Sequence, residues 1–194
     1  MSLNKVIAIV GMCGSGKSIV SEELKKLGWG YVRFGQLTLD EVKKRGLPPK
    51  EEHERKIREE FRKEHGMAAY AILNIPKIDD FLAHNNVIAD GLYSWSEYKI
   101  LKEKYADNLL VISVYADPKT RYTRLENRAS AHGNDEDLVF RSISNEDAQN
   151  RDYAEIEKIE KAGPIAMADY TLINTKNEDF LLNQLKEVMH DIQA

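Results

Sequence analysis

Cysteine occurs once in 194 residues, at Cys13, so no disulfide can form within the chain. The five histidines are scattered and show no metal-ligand spacing. No apolar run approaches the roughly 18 residues of a membrane-crossing helix. The start of the chain lacks the long apolar core of a signal peptide, because strand-like residues begin at once. A basic excess is missing too: the net charge is −4 and the pI about 5.8, which argues against a nucleic-acid partner. Internal repeats and low-complexity tracts are lacking. These absences predict a cytoplasmic protein with neither nucleic acid nor membrane as partner. They say nothing of oligomeric state.

What is present reads as one α/β domain. Val6 to Val10 is a short, continuous apolar run, the mark of a strand buried on both faces. Ile19, Val20, Leu24 and Leu27 then recur at helical spacing, with Gly28 as the C-cap. Tyr31 to Phe34 reads as a second strand. Residues 37–45 and 51–64 read as helices separated by Pro48-Pro49, and Met67 to Leu73 begins another, kinked or restarted near Pro76. Val87 to Ala89 and Leu109 to Ala116 are strands three and four. Asp117-Pro118 caps the helix after strand four. Residues 130–137 are polar and loop-like, 138–161 helical, Tyr170 to Ile173 a fifth strand, and 178–191 a last helix. Alternation of this kind predicts a parallel sheet with helices on both faces and ligands at the carboxyl ends of its strands.

"GMCGSGKS", residues 11–18, fits the phosphate-loop pattern Gly-x-x-x-x-Gly-Lys-Ser. Glycines Gly11, Gly14 and Gly16 let the backbone turn so that N–H groups, those of Cys13 and Ser15 among them, point at phosphate oxygens. The following helix adds its positive end. Lys17 reaches for the β- and γ-phosphates of ATP, and the Ser18 hydroxyl is a Mg²⁺ ligand. Cys13 occupies a free position of the pattern. It is read as a small loop residue, with a redox-sensitive thiol as the alternative. Asp90 ends an apolar strand, the placement of a carboxylate that holds the Mg²⁺ water shell.

Two arginine faces follow. Arg121, Arg124 and Arg128 share one helix face, and Arg55, Arg58 and Arg62 repeat the spacing on the 51–64 helix. Guanidinium forks suit phosphate oxygens. The second face is also rich in glutamates, so a solvated, ion-paired surface is an equal reading there. Arg124 and Arg128 stand before the polar 130–137 loop, where arginines can close over a nucleotide.

"IAIVGMCGSGKS", "VIADGLYS", "VYADPKTRYTRLENR" and "GPIAMADYTLINT" together resemble the small P-loop kinases of the adenylate-kinase-related group, with nucleoside monophosphate kinases and dephospho-CoA kinases as near neighbours. The resemblance runs from residue 7 to 175. It implies a P-loop NTPase fold with a five-stranded parallel sheet as core (about 4–35, 84–124 and 153–194), a helical acceptor-binding insertion (about 36–83) and a small lid (about 125–152). It also implies phosphoryl transfer from Mg-ATP to a small nucleotide-like acceptor. Arg124 and Arg128 match the R-x-x-x-R that opens the lid, and Arg151 the arginine that returns toward the phosphates. Thr175 to Asn177, including Lys176, lies where such kinases contact adenine.

The pattern departs from nucleoside monophosphate kinases in two places. Gly35-Gln36-Leu37-Thr38-Leu39 lacks their Gly-Asp and following arginine, and Leu92, Tyr93 and Ser94 lack the arginine after strand three. Arg33, Arg55 and Arg58 are the expected replacements at the acceptor, with Gly91 and Tyr93 beside them. Lys17, Asp90, Arg124, Arg128 and Arg151 are the expected catalytic set. Dephospho-CoA kinase is the alternative enzyme. A regulatory protein that binds ATP or AMP with little turnover is the alternative of another class.

Overall fold

The computed structural model describes residues 4–127 and 144–193. β1 (Val6–Val10) is wholly buried, as its apolar run requires. Its alternate residues feed different cores. Val6, Ala8 and Val10 pack with Val32, Phe34, Tyr70 and Leu101, while Ile7 and Ile9 pack with Val20, Leu24, Ile112 and Leu181. α1 (Lys17–Lys25) follows directly from the glycine loop, and Gly28 closes the turn beyond it. β2 (Gly30–Arg33), β3 (Val87–Asp90), β4 (Leu109–Tyr115) and β5 (Tyr170–Ile173) complete a five-stranded sheet in the order β2-β3-β1-β4-β5. Every pairing in it is parallel, and helices cover both faces. The order turns around β1, which puts the crevice at the carboxyl ends of β1, β3 and β4.

Between β2 and β3 lie α2 (Gln36–Lys44), α3 (Glu51–His65) and α4 (Ala69–Leu82). α4 is one continuous helix through Pro76, where the sequence predicted a kink or restart. The proline sits on an exposed face, while Tyr70, Ala71 and Ile78 of the same helix enter the core. α5 (Trp95–Tyr105) was not anticipated at all. Its start is fixed by a capping box: Ser94 Oγ accepts from the Glu97 N–H, and Glu97 Oε2 accepts from the Ser94 N–H.

α6 (Pro118–Glu126) begins at Asp117, whose carboxylate takes the Thr120 N–H as expected of a cap. The single helix expected over 138–161 is corrected at its end. α7 (Asn145–Ile159) stops where Glu160 adopts the left-handed region at φ 54, and a short α8 (Ala162–Ala166) follows. Residues 138–143 of that expected helix, Arg128 and the 130–137 loop lie outside the described residues. α9 (Glu178–Gln193) closes the chain's described part. No helix among the described residues is long and apolar enough to cross a membrane.

Candidate functional site

The glycine loop is shaped by two close approaches. Gly11 has φ +143, and a Cβ there would sit 2.5 Å from the Val114 carbonyl of β4. Gly16 has φ +100, and a Cβ there would sit 2.1 Å from Asn174 Nδ2. Only glycine meets both conditions. The Asn174 side chain donates to the Ser15 carbonyl at 2.8 Å, and its backbone N–H bonds the Tyr115 carbonyl at 2.7 Å. A residue just past β5 thus holds the loop from below.

Lys17 bends back over the loop and donates to the Gly11 and Met12 carbonyls at 2.9 and 3.1 Å. Burial, and then the nearby Lys161 ammonium, lower its pKa to about 8, against the pull of Cys13, Asp90 and Glu155. Asp90 ends β3 in register with Ile9 of β1 and with Arg33 of β2. Tyr31 donates to Asp90 Oδ2 at 2.7 Å. Burial and that carboxylate raise the Tyr31 phenol well above its ordinary value, so it stays a donor.

Arg124 donates to the Asn174 carbonyl at 2.9 Å and lines a cavity of about 240 Å³ with Gly16, Ile19, Asn174, Lys176 and Glu178. Thr175 is exposed and is not among those lining residues. Ser18 is exposed in the first turn of α1. On the same α6, Arg121 points inward. It is 4% exposed, pairs bidentately with buried Asp152 of α7 at 3.0 and 2.5 Å, and donates to the Cys13 carbonyl at 3.1 Å. The phosphate loop is therefore anchored through α6 to α7.

The other wall is charged. Arg151 of α7 is ion-paired with Glu155 at 3.1 Å and stands near enough to Cys13 to act on it electrostatically. Lys161, 3% exposed, pairs with the same Glu155 at 2.6 Å and lies 5.3 Å from the Tyr93 ring centre. Burial would raise Glu155, but Lys161 and then Arg151 more than offset it and hold the carboxyl at about 2. Tyr93 is pushed up by burial and by Asp90, with Arg33, Glu155 and Arg151 also around it. Its hydroxyl end lies against Gly35 and Gly91.

The structure thus brings together the loop, Lys17, Asp90, Arg33, Tyr93 and Arg151. The arginine face on α3 is split. Arg55 is exposed, and Arg58 is half-buried and bonded to Glu54 at 3.4 Å. Arg62 turns inward, 5.7 Å from the Tyr70 ring centre. Trp95 stacks on Tyr98 at 5.0 Å and meets α8 at Gly163, so it packs the core of this wall. Arg121, expected on one phosphate-facing side of the helix with Arg124, instead pairs with Asp152, and Asn174, Asp152, Glu155, Lys161 and Glu97 were not anticipated. Only Glu97 had a sequence signal, the Ser94-x-x-Glu97 box.

Residues 7–160 match the AAA domain family. The UPF0200 protein TK1334 of Thermococcus kodakarensis is 30% identical over 189 residues, spanning 96% of this chain and 97% of its own. Among solved structures, a shikimate kinase from Bacteroides thetaiotaomicron aligns with a TM-score of 0.59 at 12% identity, over 98% of this chain and 99% of that one. A gluconokinase from Sinorhizobium meliloti aligns at 0.56 and 12% identity, over 100% of this chain and 98% of that one. At such identity the likeness is one of fold, the P-loop fold of small-molecule kinases. The chain belongs to the AAA domain family, and its match to TK1334 makes it one of the UPF0200 proteins.

Proposed function

We propose that the chain is a P-loop kinase that moves the γ-phosphoryl group of Mg-ATP to a small, nucleotide-like acceptor. The observation that carries this reading is the meeting, at the ends of β1 and β3, of the phosphate loop, Lys17 and Asp90 with the cations Arg33, Arg151 and Lys161. The β- and γ-phosphates rest on the loop N–H groups and on Lys17, and the adenine enters the cavity beside Arg124, Asn174 and Lys176. Segment 36–83 supplies the acceptor side and 125–152 the lid.

Mg²⁺ suits the donors: one hydroxyl, Ser18, and one carboxylate, Asp90, with phosphates completing the shell. When bound, the ion would neutralise charge on the phosphates. An acceptor oxygen attacks the γ-phosphorus while the bond to the β,γ-bridging oxygen breaks, and ADP leaves. Lys17 and Arg151 lower the charge on the group in flight. Lys17, its pKa lowered to about 8, serves in its protonated form.

A hydroxyl acceptor is the second reading, with dephospho-CoA among its candidates, and Asp90 favours it. Such an acceptor needs a base for its proton, and Asp90 stands beside Lys17 and Tyr93. The shikimate kinase and gluconokinase of like fold widen the choice beyond nucleotides. A regulator without turnover is supported by the missing acceptor arginines, and opposed by the charged wall of α7 and α8.

Calorimetry with magnesium and a non-hydrolysable ATP analogue tests the reading. Binding to the native chain, weakened at least about 100-fold in Lys17→Ala, is expected from loss of a charge-assisted phosphate contact. No binding to the native chain, or equal binding to both, would contradict it.

A further inference from the structure

Glu97 is the most deeply enclosed carboxylate described, with 0% exposure. Its Oε2 caps α5 by taking the Tyr93 and Ser94 N–H groups at 2.8 and 3.1 Å. Its Oε1 is buried and has no hydrogen-bond partner. Arg62 Nε is likewise buried without a partner. An acceptor and a donor left open in one region are unusual, because each forgoes about 1–3 kcal/mol of hydrogen bonding. The two feel each other electrostatically, and Glu97 also feels Lys161. Neither Arg62 nor Oε1 of Glu97 has a task in the reaction outlined above.

These groups surround an aromatic pair. Tyr70 and Tyr93 meet edge to face with ring centres 6.4 Å apart. Arg62 lies over the Tyr70 ring at 5.7 Å and Lys161 over the Tyr93 ring at 5.3 Å. Tyr93 runs from this pair toward Asp90, the end of β3 where transfer is placed. Lys161 shares its ion-pair partner, Glu155, with Arg151. In a chain of net charge −4, cations gathered around one aromatic pair favour an anion there.

Resting on the kinase reading, we propose that the side chains around the Tyr70–Tyr93 pair, closed over in this structure, part to admit the acceptor, whose anionic group is held by Arg62 and Lys161 while Glu97 Oε1 takes a hydroxyl of the same molecule. The acceptor class is then a small polyhydroxylated compound bearing a phosphate or a carboxylate. Arg62 and Lys161 stand in for the two arginines missing after β2 and β3, and Arg55 plays no part. Arg62 supplies a planar fork, and Lys161 a point charge that Glu155 orients.

The test uses the full chain with magnesium and a non-hydrolysable ATP analogue. Ribose 5-phosphate, gluconate and neutral ribose are titrated by calorimetry. One of the two anions is expected to bind and ribose not to. Arg62→Gln should weaken that anion at least about tenfold, the loss of one charge-assisted contact, and leave the analogue's affinity within about threefold. Lys161→Gln could loosen the α7–α8 corner, so the paired variant Glu155→Gln with Lys161→Gln should show the same weakening, and Lys161→Arg should stay within about threefold of native. Binding of ribose 5-phosphate assigns a phosphate acceptor, and binding of gluconate a carboxylate. Failure of both to bind the native chain, or equal binding to Arg62→Gln, overturns the proposal. Failure of the ATP analogue alone would remove the kinase reading. The same sugar titrations without the analogue would still decide Arg62 and Lys161.

Discussion

On the side of β1, β4 and β5 the cleft is shaped by the glycine-loop backbone, with Arg124, Asn174 and Lys176 beside it. On the side of β2, β3 and α8 it is lined by charged side chains. The first side holds its shape through near contacts that only hydrogen-sized gaps allow, Gly11 against Val114 and Gly16 against Asn174. Its backbone is held by neighbours: Asn174 donates to the Ser15 carbonyl and Arg124 to the Asn174 carbonyl, while Ser15 Oγ and Arg124 Nη1 are buried without a partner. The second side keeps polar atoms open at Arg62 and Glu97 and stacks cations on tyrosines. A triphosphate tail is the same in every nucleotide, so a fixed backbone cradle suits it. An acceptor must be told from its rivals, and unsatisfied side chains do that, because a wrong ligand leaves them unpaired.

The two sides are separable by mutation. The largest effect is expected for Gly16→Ala. The new Cβ would collide with Asn174 and impose strain of about 1–3 kcal/mol at a left-handed φ, besides breaking the Asn174–Ser15 bond. Affinity for an ATP analogue should fall at least about 100-fold while anion binding on the α8 side persists. Loss of both together would show that the sides are one unit.

Glu97→Gln probes the other side through stability. Burial pushes the Glu97 carboxyl up to about 7 against the Tyr93 and Ser94 N–H groups, from an ordinary 4.5. Its folded pKa is the higher, so the protonated form favours folding. The Glu97 contribution is fully present at or below pH 4.5 and is lost as pH rises through 7. That loss amounts to up to about 3 kcal/mol. Glu97→Gln should flatten this window when melting is followed from pH 4.5 to 8; an unchanged slope would refute the assignment. Glu155 carries the opposite sign. Held at about 2, it stabilises above pH 4.5 and gives that up as pH falls toward 2.

A smaller effect concerns Lys17. With its pKa near 8 in the free protein, affinity for the ATP analogue should fall by up to about tenfold per pH unit above that value. A flat profile to pH 10 would contradict the lowered pKa of Lys17. The smallest effect is expected for Arg55→Ala, an exposed residue on α3, at less than about 0.5 kcal/mol in stability and no change in anion affinity. A clear loss there would return the outer arginine face to the site.

The β1–loop–α1 unit was legible because its chemistry is local: an apolar run, glycines at fixed spacing, then Lys17 and Ser18. The strands were legible for the same reason, to within a residue or two at their ends. Asp90 was singled out from its place at a strand end, although its Tyr31 partner, 59 residues away, was not. The charged wall was hidden because it joins α3, α4, α5 and α8, and no spacing in the chain shows that Lys161 meets Tyr93. Arg55, Arg58 and Arg62 share a spacing but not an environment. Helical periodicity cannot tell which edge of the face turns inward. α5 could have been found from Ser94 and Glu97, since a capping box is a local signal. The break at Glu160 could not, because a non-glycine residue in the left-handed region leaves no mark in sequence.

The most direct measurement of the central claim is ADP formation from Mg-ATP. The acceptors would be nucleoside monophosphates, dephospho-CoA, shikimate, gluconate and ribose 5-phosphate, against a blank without acceptor. The account predicts that one acceptor raises ADP formation well above the blank and that Lys17→Ala abolishes the rise. An ATP analogue that binds, with every acceptor at the level of the blank, would contradict phosphoryl transfer and leave a nucleotide-binding protein in its place.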